Sequence, residues 1–345
     1  MKHQKIRRMI AMWLAACLFF AGCSMPGKGK QQYQATYLDV FDTVTSISAV
    51  TDSEEGFRQQ AEKIHDQLLR YHQLFDIYND YEGLNNLKTV NDHAGIGPVK
   101  VDGEIIRLLK DCGEYYELTG HAVNPAMGGV LGLWHEARTD GLDDPDHAAL
   151  PDAAALQKAA AHTDWAAVEI DENAGTVYLA DPQLRLDVGA VAKGWSAQRA
   201  AEAAPRGYLI SVGGNVCATG PKDDSGTPWV VGITDPAGGS GYLHTLSNRD
   251  SAIVTSGDYQ RYYVVDGKIY HHIIDPTTLY PAREFCSVTV ICQDSGLADA
   301  LSTALFILPR EEGELLAETS GAEAMWVDLE GNRFYTPGFQ NWICG

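Results

Sequence analysis

One stretch restricts the fold more than any other. Residues 296–308 read GLADALSTALFIL, which predicts a helix apolar on nearly every side and therefore buried. Asp294 and Ser295 stand just before it as N-cap residues. Inside the apolar run is Asp299. An unpaired carboxylate in an apolar core is costly, so this one must be neutral, paired or bound to a cation. Thr303 follows four residues later on the same helix face. A carboxylate and a hydroxyl on one face make a hard-oxygen pair of the kind Mg²⁺ accepts. The alternative is that Asp299 caps a neighbouring loop or meets a Lys or Arg.

The 345 residues, 45% hydrophobic, are ample for the large core such a helix requires. The first residues are expected to lie outside it. Lys2, Lys5, Arg7 and Arg8 form a basic region, residues 9–21 a short apolar one, and Gly22-Cys23 follows. This is the pattern of a secretory signal over 1–22, too short for an ordinary spanning helix. A Cys after small residues resembles the lipid-attachment site of a bacterial lipoprotein. Cys17 competes, but Cys23 is preferred because polar sequence begins at Ser24. Residues 23–34 then read as a flexible tether and 35–345 as the folded domain.

The net charge is −20. Loss of residues 1–22 would leave 22 basic against 46 acidic residues, a net −24. So acidic a surface argues against nucleic acid and against a broad electrostatic membrane face, leaving lipid as the means of attachment. With Cys17 and Cys23 set aside, five cysteines and no CxxC indicate neither a zinc ribbon nor a redox motif, and read as buried free thiols.

Along the chain, residues 35–50 suggest a first strand, and 54–75 and 105–118 amphipathic helices. Residues 77–97 read as a polar loop, 121–134 as an irregular close-packed turn, and 152–161 as an Ala-rich helix. Strands are expected at 168–170, 176–180, 184–188, 208–212, 229–233, 252–255 and 287–292, and a tight Gly turn feeding a helix at 189–204. Asp266-Gly267 joins the clearest hairpin, 261–265 with 268–274. A second hairpin closes the chain at 324–328 and 333–336. Helices early and antiparallel hairpins late, with no repeat or linker between, give an α+β chain of one large domain with mixed or antiparallel sheets and flanking helices.

Two further segments carry chemistry. In Tyr270–Asp275, YHHIID, successive side chains face opposite sides of a strand, so His271 and His272 do not share one metal site. One His near Asp275 makes a general acid/base pair. The plainer reading is a hydrogen-bonded strand His and an Asx-turn Asp before Pro276. In DVGAVAKG, residues 187–194, an Asp at a strand end precedes a Lys in a first helical turn, an arrangement suited to phosphate and its cation or simply to a compact turn.

Four blocks, DVGAVAKGWSAQRA (187–200), ISVGGNVCATG (210–220), TSGDYQRYYVVDGKIYHHIIDPTTLYPA (255–282) and SVTVICQDSGLADALSTALFIL (287–308), resemble the ApbE family of FAD:protein FMN transferases in order and spacing. The resemblance implies an ApbE-like (T-fold-like) architecture. It also implies a Mg²⁺-dependent transfer of FMN from FAD to a Thr hydroxyl of an acceptor protein, with AMP released. It assigns Asp299, Thr303 and the Ala190 carbonyl to the metal. Asp187, Lys193 and Ile273 fall to FAD, and so do Phe41, Tyr78 and the turn Val123-Asn124-Pro125 on the flavin and adenine side. His272 is the expected base, with Asp275 orienting it or acting instead. The partner implied is an extracytoplasmic redox subunit with a Ser/Thr motif, reached by an enzyme lipid-anchored at the cell membrane. The chain departs from the family pattern in three N-terminal places. FDTVTSIS stands for Met-Gly-Thr, the Ser-Glu pair after Tyr78 is missing, and VNPAMGG stands for Phe-Asp-Pro-Thr. A FAD pyrophosphatase with the same metal site, and a lipoprotein that merely binds FAD, are the competing readings.

Overall fold

Strand alternation decides which residues meet the helices. Ile253 and Val254 are neighbours in one strand, yet they belong to core clusters on opposite faces of the sheet, as do Val290 and Ile291 in the next. Both faces are therefore covered. The computed structural model describes residues 29–239 and 241–344. The expected signal, Cys17 and the lipidation site Cys23 lie outside the described residues.

The elements in chain order are β1 (Gln31–Val40), β2 (Thr43–Thr51), α1 (Glu54–Phe75), α2 (Leu87–Asp92), β3 (Val99–Lys100), α3 (Gly103–Leu118), α4 (Gly128–Asp143), α5 (Ala153–Ala160), β4 (Val168–Asp171), β5 (Thr176–Leu179), α6 (Ala192–Ala203), β6 (Tyr208–Val212), β7 (Asn215–Ala218), β8 (Trp229–Thr234), β9 (Tyr242–Asn248), β10 (Ala252–Gly257), β11 (Tyr262–Val265), β12 (Lys268–His271), β13 (Phe285–Cys292), α7 (Ser295–Ile307), α8 (Arg310–Thr319), β14 (Glu323–Asp328) and β15 (Arg333–Tyr335). Eight strands form one antiparallel sheet in the order β1-β2-β6-β7-β10-β13-β14-β15. Phe57, Ala61, Ile64 and Leu68 of α1, Ala197 and Ala200 of α6, and Leu301 and Leu305 of α7 cover one face. Ile233 of β8, Leu246 of β9 and Phe339 cover the other. A smaller cluster joins Val130 and Trp134 of α4 to Tyr263 and Val265 of β11 and to Ile274 shortly after β12. The chain is thus α+β, as expected, and the strand ladders among the described residues are antiparallel.

Several boundaries differ from the sequence reading, each for a local reason. β1 begins at Gln31, four residues inside the expected tether, because Gln31–Gln34 pair with Ser48–Thr51. Residues 35–50 are two strands, turned at Phe41 and Asp42, both at positive φ (54° and 51°). The loop expected over 77–97 contains α2, whose Asn86 and Thr89 form a reciprocal cap. Residues 184–188 are no strand. Their backbone groups go to the Asn91 side chain (2.7 and 3.0 Å), the Pro125 carbonyl (2.8 Å) and Gly128 N–H (2.9 Å) instead of to a ladder. The described cysteines are free, with Cys112, Cys217 and Cys292 buried.

Candidate active site

The buried helix fixes one end of a cavity of about 670 Å³. Asp294 caps α7 by accepting from Leu297 N–H at 2.9 Å. One turn in, Asp299 is 3% exposed. Its Oδ2 accepts from Gly194 N–H at 2.8 Å and lies 3.5 Å from Lys193 Nζ. This needs α6 and α7 in close contact. A Cβ on Gly194 would sit 2.2 Å from the Ser295 carbonyl oxygen and 2.5 Å from Asp299 Cβ, so only glycine fits. Burial pushes the Asp299 carboxyl up, against Lys193 and the Gly194 N–H. Two partners leave its charge under-compensated.

The loop before α6 brings in the next groups. Asp187 Oδ1 accepts from Gly189 N–H at 2.8 Å, and enclosure in the cleft pushes its carboxyl up as well. Ala190, Lys193, Asp299 and Thr303 line the cavity together. Among the described residues no three His, Cys, Asp or Glu converge as a protein-only metal cage. A cation here would take one carboxylate, one hydroxyl and one backbone carbonyl, and complete its shell with water and substrate oxygens. Mg²⁺ binds in that manner, and an under-compensated carboxylate suits it, so the residues fit the ion.

The hairpin supplies the wall beside them. Asp266 (φ 49°) and Gly267 (φ 75°) make the left-handed two-residue turn anticipated from the sequence. His271 points into the core, donating from Nε2 to the Ala282 carbonyl (2.7 Å) and accepting from Ile273 N–H (3.2 Å). His272 Nδ1 lies 3.2 Å from the Arg261 carbonyl. A carbonyl only accepts, so Nδ1 carries the proton and Nε2 keeps its lone pair. Enclosure, followed by Arg261 and Lys193, pushes this imidazole down to about 3. Asp275 does not share the site. Its carboxylate accepts from Thr277 N–H at 2.7 Å in the Asx turn before Pro276. It neither lines the cavity nor touches His272, and the Arg261 carbonyl does the orienting.

The remaining wall comes from the N-terminal half. Phe41 lines the cavity from the strained β1–β2 turn, its N–H on His72 Nδ1 (3.3 Å) and its ring edge-on to that imidazole. Tyr78 sits in a loop gathered by Asp76, which accepts from Tyr78 N–H (2.6 Å), Asn79 N–H (3.1 Å), Asn79 Nδ2 (2.9 Å) and Tyr81 Oη (2.8 Å). Burial alone would raise the Asp76 carboxyl, but these donors hold it below the ordinary range. Val123, Asn124 and Pro125 line the cavity, though the Asn124 side chain is occupied with Ala126 N–H and the Thr163 carbonyl.

Sequence reasoning missed α4 and what it brings. Trp134, His135 and Arg138 line the cavity, and the Tyr78 ring stacks on His135 with centroids 4.9 Å apart. The helix starts through Gly128 and Gly129 with no side-chain cap. The spacing of Val130, Trp134 and Ala137 was the available signal. Arg261 was also missed. The hairpin register pairs Tyr262 with His271, which puts residue 261 opposite 272. Gly213 and Asn215 line the cavity too, and Gly213 (φ 58°) and Gly214 (φ 93°) form the β6–β7 turn.

This cavity draws on segments from residue 41 to residue 307, and similarity to known proteins covers the same span. A model of the ApbE family matches residues 41–326. An FAD:protein FMN transferase of Treponema pallidum is 36% identical over 260 residues, covering 70% of this chain and 70% of that protein. One from Klebsiella pneumoniae is 34% identical over 276 residues, covering 76% and 83%. The crystal structure of the ApbE protein of Thermotoga maritima is 32% identical and superposes with a TM-score of 0.79, covering 91% of this chain and 100% of that one. The flavin transferase ApbE of Vibrio cholerae, as a single-substitution variant, gives 25% and 0.74, covering 90% and 99%. The matched span takes in every segment that lines the cavity, and the chain belongs to the ApbE family.

Proposed function

We propose that this chain is an FAD:protein FMN transferase that moves FMN from FAD to a Thr or Ser hydroxyl of an acceptor protein and releases AMP. The observation that carries the reading is the meeting of Asp299, Thr303, Ala190, Lys193 and His272, from three separate segments, in one cavity. The acceptor hydroxyl attacks the phosphorus of the FMN half. An O–P bond forms, the bond from that phosphorus to the bridging oxygen breaks, and AMP leaves with that oxygen and its electron pair. The hydroxyl proton passes to the free Nε2 of His272. Lys193 faces the anionic substrate oxygens, and the Arg261 carbonyl holds the imidazole in the accepting tautomer. Mg²⁺, held by Asp299, Thr303 and the Ala190 carbonyl, would supply charge stabilisation on the phosphate oxygens. In the donor-free protein His272 is neutral, and the cations that depress it are those an anionic donor neutralises.

The N-terminal signal and Cys23 extend the reading to an extracytoplasmic enzyme held at the membrane by lipid, beside redox subunits carrying a Ser/Thr motif. No helix of the described residues is long and apolar enough to cross a membrane. The test is to mix the mature protein with FAD, Mg²⁺ and candidate acceptor domains. An acceptor mass gain equal to FMN, with AMP released, is expected. FMN and AMP formed from FAD alone would instead make it a pyrophosphatase. FAD bound and unchanged would make it a carrier.

A further inference from the structure

The geometry points to a second anion-binding element in this cavity: Arg138 of α4 and Arg261 before β11 together hold the phosphates of the donor nucleotide. This deepens the transferase reading and rests on it. Both arginines line the cavity. Neither guanidinium forms an ion pair among the described residues. Arg138 Nη2 lies 3.1 Å from His135 Nδ1, and Arg261 Nη2 donates to the Phe41 carbonyl at 3.4 Å. Those contacts are to neutral acceptors and leave most of the donors of each fork unused.

The surrounding charges sharpen the point. The chain carries 46 acidic residues, yet among the described residues none forms an ion pair with either guanidinium, and Asp187 acts on Arg261 only at longer range. Burial, followed by repulsion from Arg261, lowers the proton affinity of Arg138. Two like charges that face one void without an ion-pair partner favour an anion there. The cavity carboxylates do not supply it. Of the four that line it, Asp76 is taken by its own loop, Asp299 lies against Lys193 and the Gly194 N–H, and Asp187 accepts from Gly189 N–H. None of Asp42, Asp76, Asp187 and Asp299 forms an ion pair with Arg138 or Arg261. A guanidinium pair matches phosphate oxygens in forked geometry, and FAD brings a pyrophosphate to this cavity. Arg138 is also tied to His135, on which Tyr78 stacks, so phosphate recognition and an aromatic platform share one helix.

The test is equilibrium binding to the mature full chain without divalent cation, which removes the metal end from the measurement and requires no transfer. FAD and riboflavin are followed by flavin fluorescence, and AMP by competition with FAD. Arg138→Met and Arg261→Met keep the apolar stems. Each is expected to weaken FAD and AMP about 10-fold and to leave riboflavin unchanged. Equal losses for riboflavin and FAD would overturn the proposal, because the arginines would then act through shape. Unchanged FAD affinity with a raised acceptor KM would also overturn it, because the anion would then be a carboxylate of the acceptor. Should either variant fail to fold, the unmodified chain still decides. FAD affinity is expected to fall with salt much more steeply than riboflavin affinity, and equal slopes would refute the assignment. Arginine-dependent FAD binding without transfer would leave this inference standing and sink the transferase reading.

Discussion

The two ends of the cavity are fastened by different means. At the cation end, α6 and α7 press together through Gly194, and the backbone itself delivers an N–H to Asp299. At the recognition end, Tyr78 and Phe41 ride on a loop and a turn, held by the Asp76 carboxylate, by His72 and by left-handed residues that are not glycine. Regular elements resist displacement because every shift breaks packing. Side-chain clasps fail one residue at a time. In the proposed transferase the chemistry would sit on the rigid end and substrate discrimination on the adjustable one.

The largest break is expected at Asp299. Asp299→Ala removes the one carboxylate of the proposed cation set, and transfer should fall at least about 10³-fold while FAD still binds without divalent cation. Normal Mg²⁺-dependent turnover in that variant would move the metal elsewhere. His272→Ala should cost about 10²–10⁴-fold, measured in single turnover with acceptor in excess. The donor-free protein adds a check by nitrogen NMR. With its affinity pushed down to about 3, His272 should stay neutral with the proton on Nδ1 from pH 8 to pH 5. The sign follows. An unfolded His protonates near ~6.5 and the folded one does not, so this residue's contribution is full above that value. It is lost progressively as pH falls from there towards 3. A midpoint near 6.5 in the folded chain would mean that the cavity does not enclose the imidazole.

Gly194→Ala and Asp76→Ala test the contrast directly. The first inserts a methyl into a backbone contact, so overpacking should lower stability by about 1–3 kcal/mol in denaturant titration and reduce transfer with it. The second frees the Tyr78 loop from its clasp. KM for FAD should rise about 10-fold, with kcat and the cation dependence little changed. If Asp76→Ala instead matched Asp299→Ala in kcat, the loop would belong to the chemistry and the division between the two ends would be wrong.

The rigid end was the legible one. An apolar run with one acid gave α7 and its cap almost to the residue, and Asp266-Gly267 gave the hairpin, because periodicity and turn chemistry act locally. That Asp299 and Thr303 share one helix face was legible from spacing alone, and both line the cavity. What escaped depends on long-range partners. Residues 184–188 have a strand's composition, but the Asn91 side chain, the Pro125 carbonyl and the Gly128 N–H take their backbone groups. α4 escaped because glycines open it and nothing caps it, so Arg138 and His135 were never considered beside Tyr78. Asp275 shows the opposite error: nearness in sequence to His272 suggested a pair, whereas the Asx turn directs its carboxylate to Thr277 N–H.

The smallest expected effect probes the β1–β2 turn. Phe41 and Asp42 both occupy the left-handed region, with φ of 54° and 51°. Two-residue hairpin turns of this hand favour glycine at the second position. Asp tolerates the conformation better than most residues, so part of the strain is already relieved at 42. Asp42→Gly should remove the remainder, but it also loosens the unfolded chain, and the two effects oppose each other. The net gain expected is about 0.5–1 kcal/mol, seen as a small rise in Tm, with FAD affinity unchanged because Phe41 keeps its place. A loss of stability would show that the Asp42 side chain holds the turn. A loss of FAD affinity without one would show that the strain itself positions Phe41, and the adjustable end of the cavity would then be stiffer than its loops suggest.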